Sequence, residues 1–165
     1  MIYYTSDHHF GHDNIIKYIK RYTYCQTAQE MNEILVDKWN SVVNKNDTVF
    51  HLGDVYFHQG WQVLSRLNGK NNRLILGNHD QKNVSKLKEF FLIEPKDIVV
   101  NHDNKLVLSH YPIKDWPHKF YDYIHLHGHS HGAVSGYDKA AVDVGVDCWD
   151  GYPITLEQIK QSMVK

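Results

Sequence analysis

Five short clusters carry most of the chemistry this sequence can offer. In chain order they are Asp7-x-His9, Gly53-Asp54, Gly77-Asn78-His79-Asp80, His110 and Gly128-His129-x-His131. Carboxylates, an amide and imidazoles are oxygen and nitrogen donors, the ligand set of hard-to-borderline cations. Composition points the same way: histidine supplies 13 of 165 residues, and aspartate outnumbers glutamate by 14 to 5. The two cysteines, Cys25 and Cys148, match no paired zinc spacing and make no disulfide framework. Thiolates therefore drop out of the ligand set, and a reducing compartment is the default. In His129-Ser130-His131 the one-residue gap puts both imidazoles on one side of an extended segment. Glycines at 53, 77 and 128 let the backbone turn tightly and approach the site.

The elements that must position these clusters read as strands and helices in alternation. Residues 1–5 read as a buried strand ending at Ser6-Asp7, and 48–52 as a second ending at Gly53-Asp54. A third, 73–76, ends at Gly77-Asn78. Residues 98–100 and 106–108 flank a polar turn as a hairpin that ends at Ser109-His110. Residues 123–126 lead into His127-Gly128, and 141–146 form a late strand. Helices are expected over 14–20, over 27–44 with a Thr27/Glu30 capping box, around Trp61 to Leu67, and from Val84 to Phe91. A last helix is capped by Thr155 and Gln158. The pattern predicts an α/β sandwich with helices outside, a single domain over residues 1–165. Every cluster falls at the carboxyl end of a strand, where open α/β sheets bind ligands.

Taken in order, the five clusters resemble the complete signature of the calcineurin-like metallophosphoesterases, and the resemblance runs from residue 7 to residue 131. The opening Asp-x-His-Phe-Gly-His-x-Asn is similar to a compact bacterial and phage branch of that family. The resemblance implies an αββα sandwich of two mixed β-sheets flanked by helices. It also implies two divalent or trivalent metal ions, with Mn, Fe or Zn as candidates. One ion would take Asp7, His9, Asp54 and His131; the other would take Asp54, Asn78, His110 and His129, with Asp54 bridging. A shared water of lowered pKa would attack phosphorus opposite the leaving oxygen. His79 would serve as proton donor or charge stabiliser at the leaving group, and Asp80 would hold its other ring nitrogen. His12 and Asn78 would contact the substrate. The purple acid phosphatase branch has a tyrosine where this chain has Phe57, which argues against a tyrosinate–iron site. The double-strand-break nuclease branch carries long extra segments that do not appear here.

The resulting expectation is a dinuclear-metal-dependent phosphohydrolase acting on small nucleotide or related phosphodiesters. Alternatives are a phosphomonoesterase, a single-strand nuclease on the same core, or a non-catalytic metal-binding scaffold. Retention of every ligand and of His79 disfavours the scaffold. Lys+Arg is 18 against 19 Asp+Glu, a formal net charge of −1, and only Arg21, Arg66 and Arg73 are arginines. Strong nucleic-acid binding is not expected from that balance. No apolar run approaches the roughly 20 residues needed to span a bilayer. The first ligand at residue 7 leaves no place for a cleavable leader, so a cytoplasmic protein is expected. Among the other histidines, His8 points away from the site, His127 either supports the ligands from behind or is a buried strand residue, His51 is a strand residue, and His58, His102, His118 and His125 fall at the surface or in loops. Tyr111, Trp116 and Trp149 are candidates for a base-stacking wall or for ordinary packing. Asn14 either caps the first helix or sits behind the metals.

Overall fold

The computed structural model describes residues 1–134 and 138–164. Its strands are β1 (Ile2–Thr5), β2 (Thr48–His51), β3 (Asn71–Leu74), β4 (Leu92–Ile93), β5 (Ile98–Asn101), β6 (Leu106–Ser109), β7 (Ile124–His127), β8 (Ala141–Asp143) and β9 (Ile154–Thr155). Its helices are α1 (Asp13–Tyr18), α2 (Ala28–Val42), α3 (Val84–Leu87) and α4 (Leu156–Met163). One sheet has the order β4-β3-β2-β1-β9 and the other β5-β6-β7-β8. β1 to β4 run parallel and β9 joins antiparallel to β1. In the second sheet β5 is antiparallel to β6, and β6, β7 and β8 are parallel. These are the two mixed sheets of an α/β sandwich that the sequence led us to expect. Among the described residues no helix is long and apolar enough to cross a membrane.

Alternation of side chains along each strand builds the layers. Tyr4, Phe50, Leu106, Leu108, Ile124 and Leu126 are buried together between the sheets. Their chain neighbours face outward: Tyr3 and Val49 meet Trp39 and Val43, and Val107 meets Trp116 and Tyr123. The stripe Met31, Leu35 and Val36 of α2 packs with Ile15, Ile16, Leu74 and Leu87 on the outer side of the first sheet. Thr27 caps α2 by accepting the Glu30 backbone N–H, and Thr155 with Gln158 forms a complete capping box on α4.

Several boundaries differ from the sequence reading. β3 runs from Asn71 to Leu74 rather than over 73–76, because Thr48 pairs with Asn71 and His51 with Leu74. β8 stops at Asp143, whose carboxylate turns back to accept the Gly145 N–H at 2.8 Å. Asn14 is exposed in α1 and does not cap it: the residue before the helix is His12, with no side-chain cap. His125 is not at the surface. It is fully buried on the outward face of β7, against Trp116 at 5.4 Å between ring centroids. Its Nδ1 lies 3.1 Å from the Val107 carbonyl, and its Nε2 accepts the Ile113 N–H. His8 points away from the candidate site into the layer under α2, with its Nδ1 2.9 Å from Nε2 of buried His51.

Burial pulls the imidazoles of His51 and His125 down to about 3 and about 4. The unfolded chain takes up these protons near pH 6.5, as free imidazoles do. Stability is therefore full above that pH and falls as acid drives it from about 6.5 towards 4, by roughly 1.4 kcal/mol per pH unit for each ring. Urea midpoints should decline between about pH 7.5 and about pH 5, with both rings still neutral by NMR at the lower value. A flat midpoint across that range contradicts this account.

Candidate metal centre

The five clusters follow the carboxyl ends of β1, β2, β3, β6 and β7, and the fold gathers them at one place. The backbone there is unusual. Asp7, His9, Asp54, His129 and His131 all have positive φ, at 58°, 52°, 59°, 65° and 47°. Each such residue costs about 1–2 kcal/mol, and strain of this kind persists only where the surroundings over-determine it. The 129–131 segment is therefore a turn rather than the extended run expected. It sends His129 to one ligand group and His131 to the other. Two glycines permit the crowding. A Cβ on Gly77 would lie 2.2 Å from Asp54 Oδ1, and one on Gly128 would lie 2.2 Å from Ser6 Oγ.

Asp7 and Asp54 are built alike. Asp7 Oδ2 accepts from Ser6 Oγ at 2.5 Å and from the His129 N–H at 2.9 Å. Its Oδ1 is buried with no hydrogen-bond partner among the described residues. Asp54 Oδ1 accepts the His79 N–H at 3.0 Å. Its Oδ2 faces Nε2 of His110, His9 and His79 at 3.5, 3.7 and 3.9 Å. In each carboxylate one oxygen is tethered to backbone and the other is turned towards imidazoles. Burial pushes the Asp7 carboxyl up to about 7, against the pull of His131 and Ser6, and burial raises Asp54 as well.

The imidazoles are oriented by their far nitrogens. His110 Nδ1 donates to the Leu52 carbonyl at 2.7 Å, which leaves Nε2 as a lone pair, 2.9 Å from Asn78 Oδ1. His131 Nδ1 donates to Asp147 Oδ2 at 2.7 Å, so its Nε2 is likewise free to ligate. Burial lowers His9, His110 and His129, keeping them neutral as metal binding requires. Burial also acts to lower His131, but Asp147 and Asp7 outweigh it and the net shift is upward.

Asp80 does not hold the His79 ring, contrary to expectation. Its fully buried carboxylate accepts the backbone N–H groups of Asp54, Val55 and Gly77 at 2.7, 2.9 and 2.8 Å. Those donors converge on it because the two loops carrying Asp54 and Asn78 lie side by side. Asp80 is thus a clamp between loops. His79 has 44% of its side chain exposed beside Asp54. Its ring meets His9 at 5.8 Å and Phe57 at 4.9 Å. His12 is partly buried, stacks on Phe57 at 4.0 Å and reaches His9 Nδ1 at 3.4 Å. Tyr111 packs against His129 at 4.6 Å, whereas Trp116 is buried in the packing of the second sheet and Trp149 donates to the Asp143 carbonyl.

Ligand atoms of Asp7, His9 and His131 lie within 4.8 Å of one another, and so do those of Asp54, His110 and His129. The donor set fits divalent cations. Among the described residues Asp7 Oδ1 and His9 Nε2 are buried polar atoms without hydrogen-bond partners, which a protein interior tolerates poorly unless something satisfies them. A cation at each group would do so.

Residues 1–160 match the family profile described as calcineurin-like phosphoesterase. The chain belongs to that family. It is 31% identical to the uncharacterized protein MJ1445 of Methanocaldococcus jannaschii, over 99% of this chain and 92% of that one. It is 27% identical to the gene 66 protein of Mycobacterium phage L5, over 89% of this chain and 86% of that protein. The crystal structure of the protein of unknown function AQ665 from Aquifex aeolicus superposes with a TM-score of 0.75 at 26% identity, covering 98% of each chain. These relatives are compatible with the compact branch. Calcineurin-like phosphoesterases use divalent metals, and the Asp/His groups of this member are suited to hold them.

Sequence reasoning missed the supports behind these groups. Arg21 is buried and donates to both oxygens of Asp147 at 2.8 and 2.7 Å and to the carbonyls of Asp7 and His8 at 2.7 and 2.8 Å. Asp143 accepts from Ser130 Oγ and the Gly132 N–H, bracing the 129–131 turn. Asp147 follows the apolar Val144-Gly145-Val146 run, the same strand-end pattern that marked the other clusters, so a signal existed. Nothing local marks Arg21. Arg21→Met should destabilise the fold by about 3–5 kcal/mol, since it removes the guanidinium from a part-buried ion pair and leaves Asp147 with only His131 as a partner among the described residues. The folded fraction should bind metal about 10–100-fold more weakly. Urea unfolding and metal titration measure the two effects, and unchanged metal affinity contradicts the assigned role.

Proposed function

We propose that this chain is a two-metal phosphodiesterase acting on small nucleotide diesters or chemically related phosphodiesters. The observation that carries the reading is Asp54 Oδ2, which faces Nε2 of His9 from one ligand group, Nε2 of His110 from the other, and Nε2 of His79. Asp7, His9 and His131 would hold one ion and Asn78, His110 and His129 the other, with Asp54 shared. When bound, such a pair supplies Lewis acidity at phosphoryl oxygens and acidifies water near neutral pH, and Mn, Fe or Zn suits this nitrogen and oxygen donor set.

The protein's own groups do the rest. Asp147 and the Leu52 carbonyl accept hydrogen bonds from Nδ1 of His131 and His110, which leaves each Nε2 as the ligating atom. Asp80 and the Asp54–His79 backbone bond hold the His79 loop against the shared carboxylate. His79, on the open side and backed by Phe57, donates a proton to the leaving oxygen. His12, stacked on the same ring, stands where it can meet a substrate phosphate oxygen.

The test uses protein stripped with a chelator and reloaded with Mn, Fe or Zn. Bis(p-nitrophenyl) phosphate should turn over faster than p-nitrophenyl phosphate. His79→Ala should lower kcat by about 10²–10⁴-fold while metal content is retained. No turnover with any of the three metals overturns the proposal; faster monoester turnover makes the chain a phosphomonoesterase; metal loss in His79→Ala makes that residue a ligand.

A further inference from the structure

A cavity of about 440 Å³ opens beside the metal groups and shares Asn78 and His110 with them. That volume is in the range of small-molecule sites, roughly 300–1,000 Å³. Its lining is largely apolar and includes Leu76, Ile98, Ile113 and Tyr111. The Tyr111 ring is held against the imidazoles of His110 and His129, at 5.0 and 4.6 Å, while half of the residue stays exposed. Gln81 and Asp97 add an amide and a carboxylate to the lining, and both residues are exposed.

The cavity lies on the Asn78–His110 flank. His79 instead keeps its ring with His9 and Phe57, on the flank that also carries His12. A diester has two substituents on phosphorus, and only one leaves. If the leaving oxygen faces His79, the retained substituent is directed to the Asn78–His110 flank. The lining then selects its chemistry. An alkyl chain would contact the aliphatic walls but offer no hydrogen-bond partner to Asp97 or Gln81 at the exposed rim. A second phosphate would meet the Asp97 carboxylate and be repelled. A nucleobase offers a flat apolar face to Tyr111 and the aliphatic walls, and an N–H edge to Asp97 and Gln81.

We propose that this cavity binds the base of the retained nucleoside, so that Tyr111, Gln81 and Asp97 set the preference for nucleoside phosphodiesters. The proposal rests on the diesterase reading above. Two esters with the same leaving group test it: thymidine 5′-(p-nitrophenyl phosphate) and methyl p-nitrophenyl phosphate. The metal-loaded protein should favour the nucleoside ester in kcat/KM by about tenfold or more, the scale of discrimination that an apolar pocket gives. Ile98→Trp fills the cavity from the start of β5, and Asp97→Ala removes the acceptor. Both should bring the ratio towards one while the methyl ester rate holds. A ratio near one in the unmodified protein, or a ratio unmoved by both variants, overturns the proposal. If neither ester is hydrolysed with Mn, Fe or Zn, the diesterase reading fails, and equilibrium dialysis of thymidine 5′-monophosphate decides the cavity separately. Weaker binding in both variants supports it, and unchanged binding overturns it.

Discussion

A carboxylate enclosed by imidazoles governs this molecule. The Asp54 side chain is only 3% exposed, and three Nε2 atoms stand within 4 Å of its outer oxygen. Burial alone makes its charge expensive, which is why its pKa rises. Asp7 repeats the problem next door, with one buried oxygen that has no hydrogen-bond partner among the described residues. An interior does not keep such groups for stability. Bound cations would satisfy them, and the Asp and His groups around them are suited to hold such ions.

The scaffold meets that demand with backbone rather than with packing. Parallel strands in both sheets deliver loops to one place, and left-handed residues turn the ligands inward. The strain is held down by polar braces. Asp80 clamps two loops through three N–H donors, Asp143 secures the 129–131 turn, and Arg21 ties Asp147 to the carbonyls of Asp7 and His8. Asp80 and Arg21 are buried charged groups and Asp143 is half-buried, and each makes several hydrogen bonds, the condition under which polar networks fix a geometry. The 440 Å³ cavity borders this site and shares Asn78 and His110 with it.

Much of this was legible in the sequence because strand ends leave a local signature. An apolar run followed by Gly, Asp, Asn or His located five of the loops, and the ordering of those loops carried the family resemblance. What could not be read depends on contacts distant in the chain. Arg21 meets Asp147 across 126 positions, and no local pattern marks that pair. Asp80 sits beside His79 in sequence, yet its carboxylate turns towards backbone donors contributed by the Asp54 loop. His125 looked like a loop residue because burial under Trp116 depends on how the 111–123 segment folds over β7. The turn at 129–131 defeats the alternation argument, because positive φ at both histidines was invisible to a pattern that assumes extended backbone.

The central claim is that one aspartate joins two metal groups. Electron paramagnetic resonance of the protein saturated with Mn²⁺ tests it most directly. Two ions sharing Asp54 predict the spectrum of an exchange-coupled pair, which collapses to isolated-ion signals in Asp54→Asn. Isolated-ion signals from the unsubstituted protein at full loading would contradict the account.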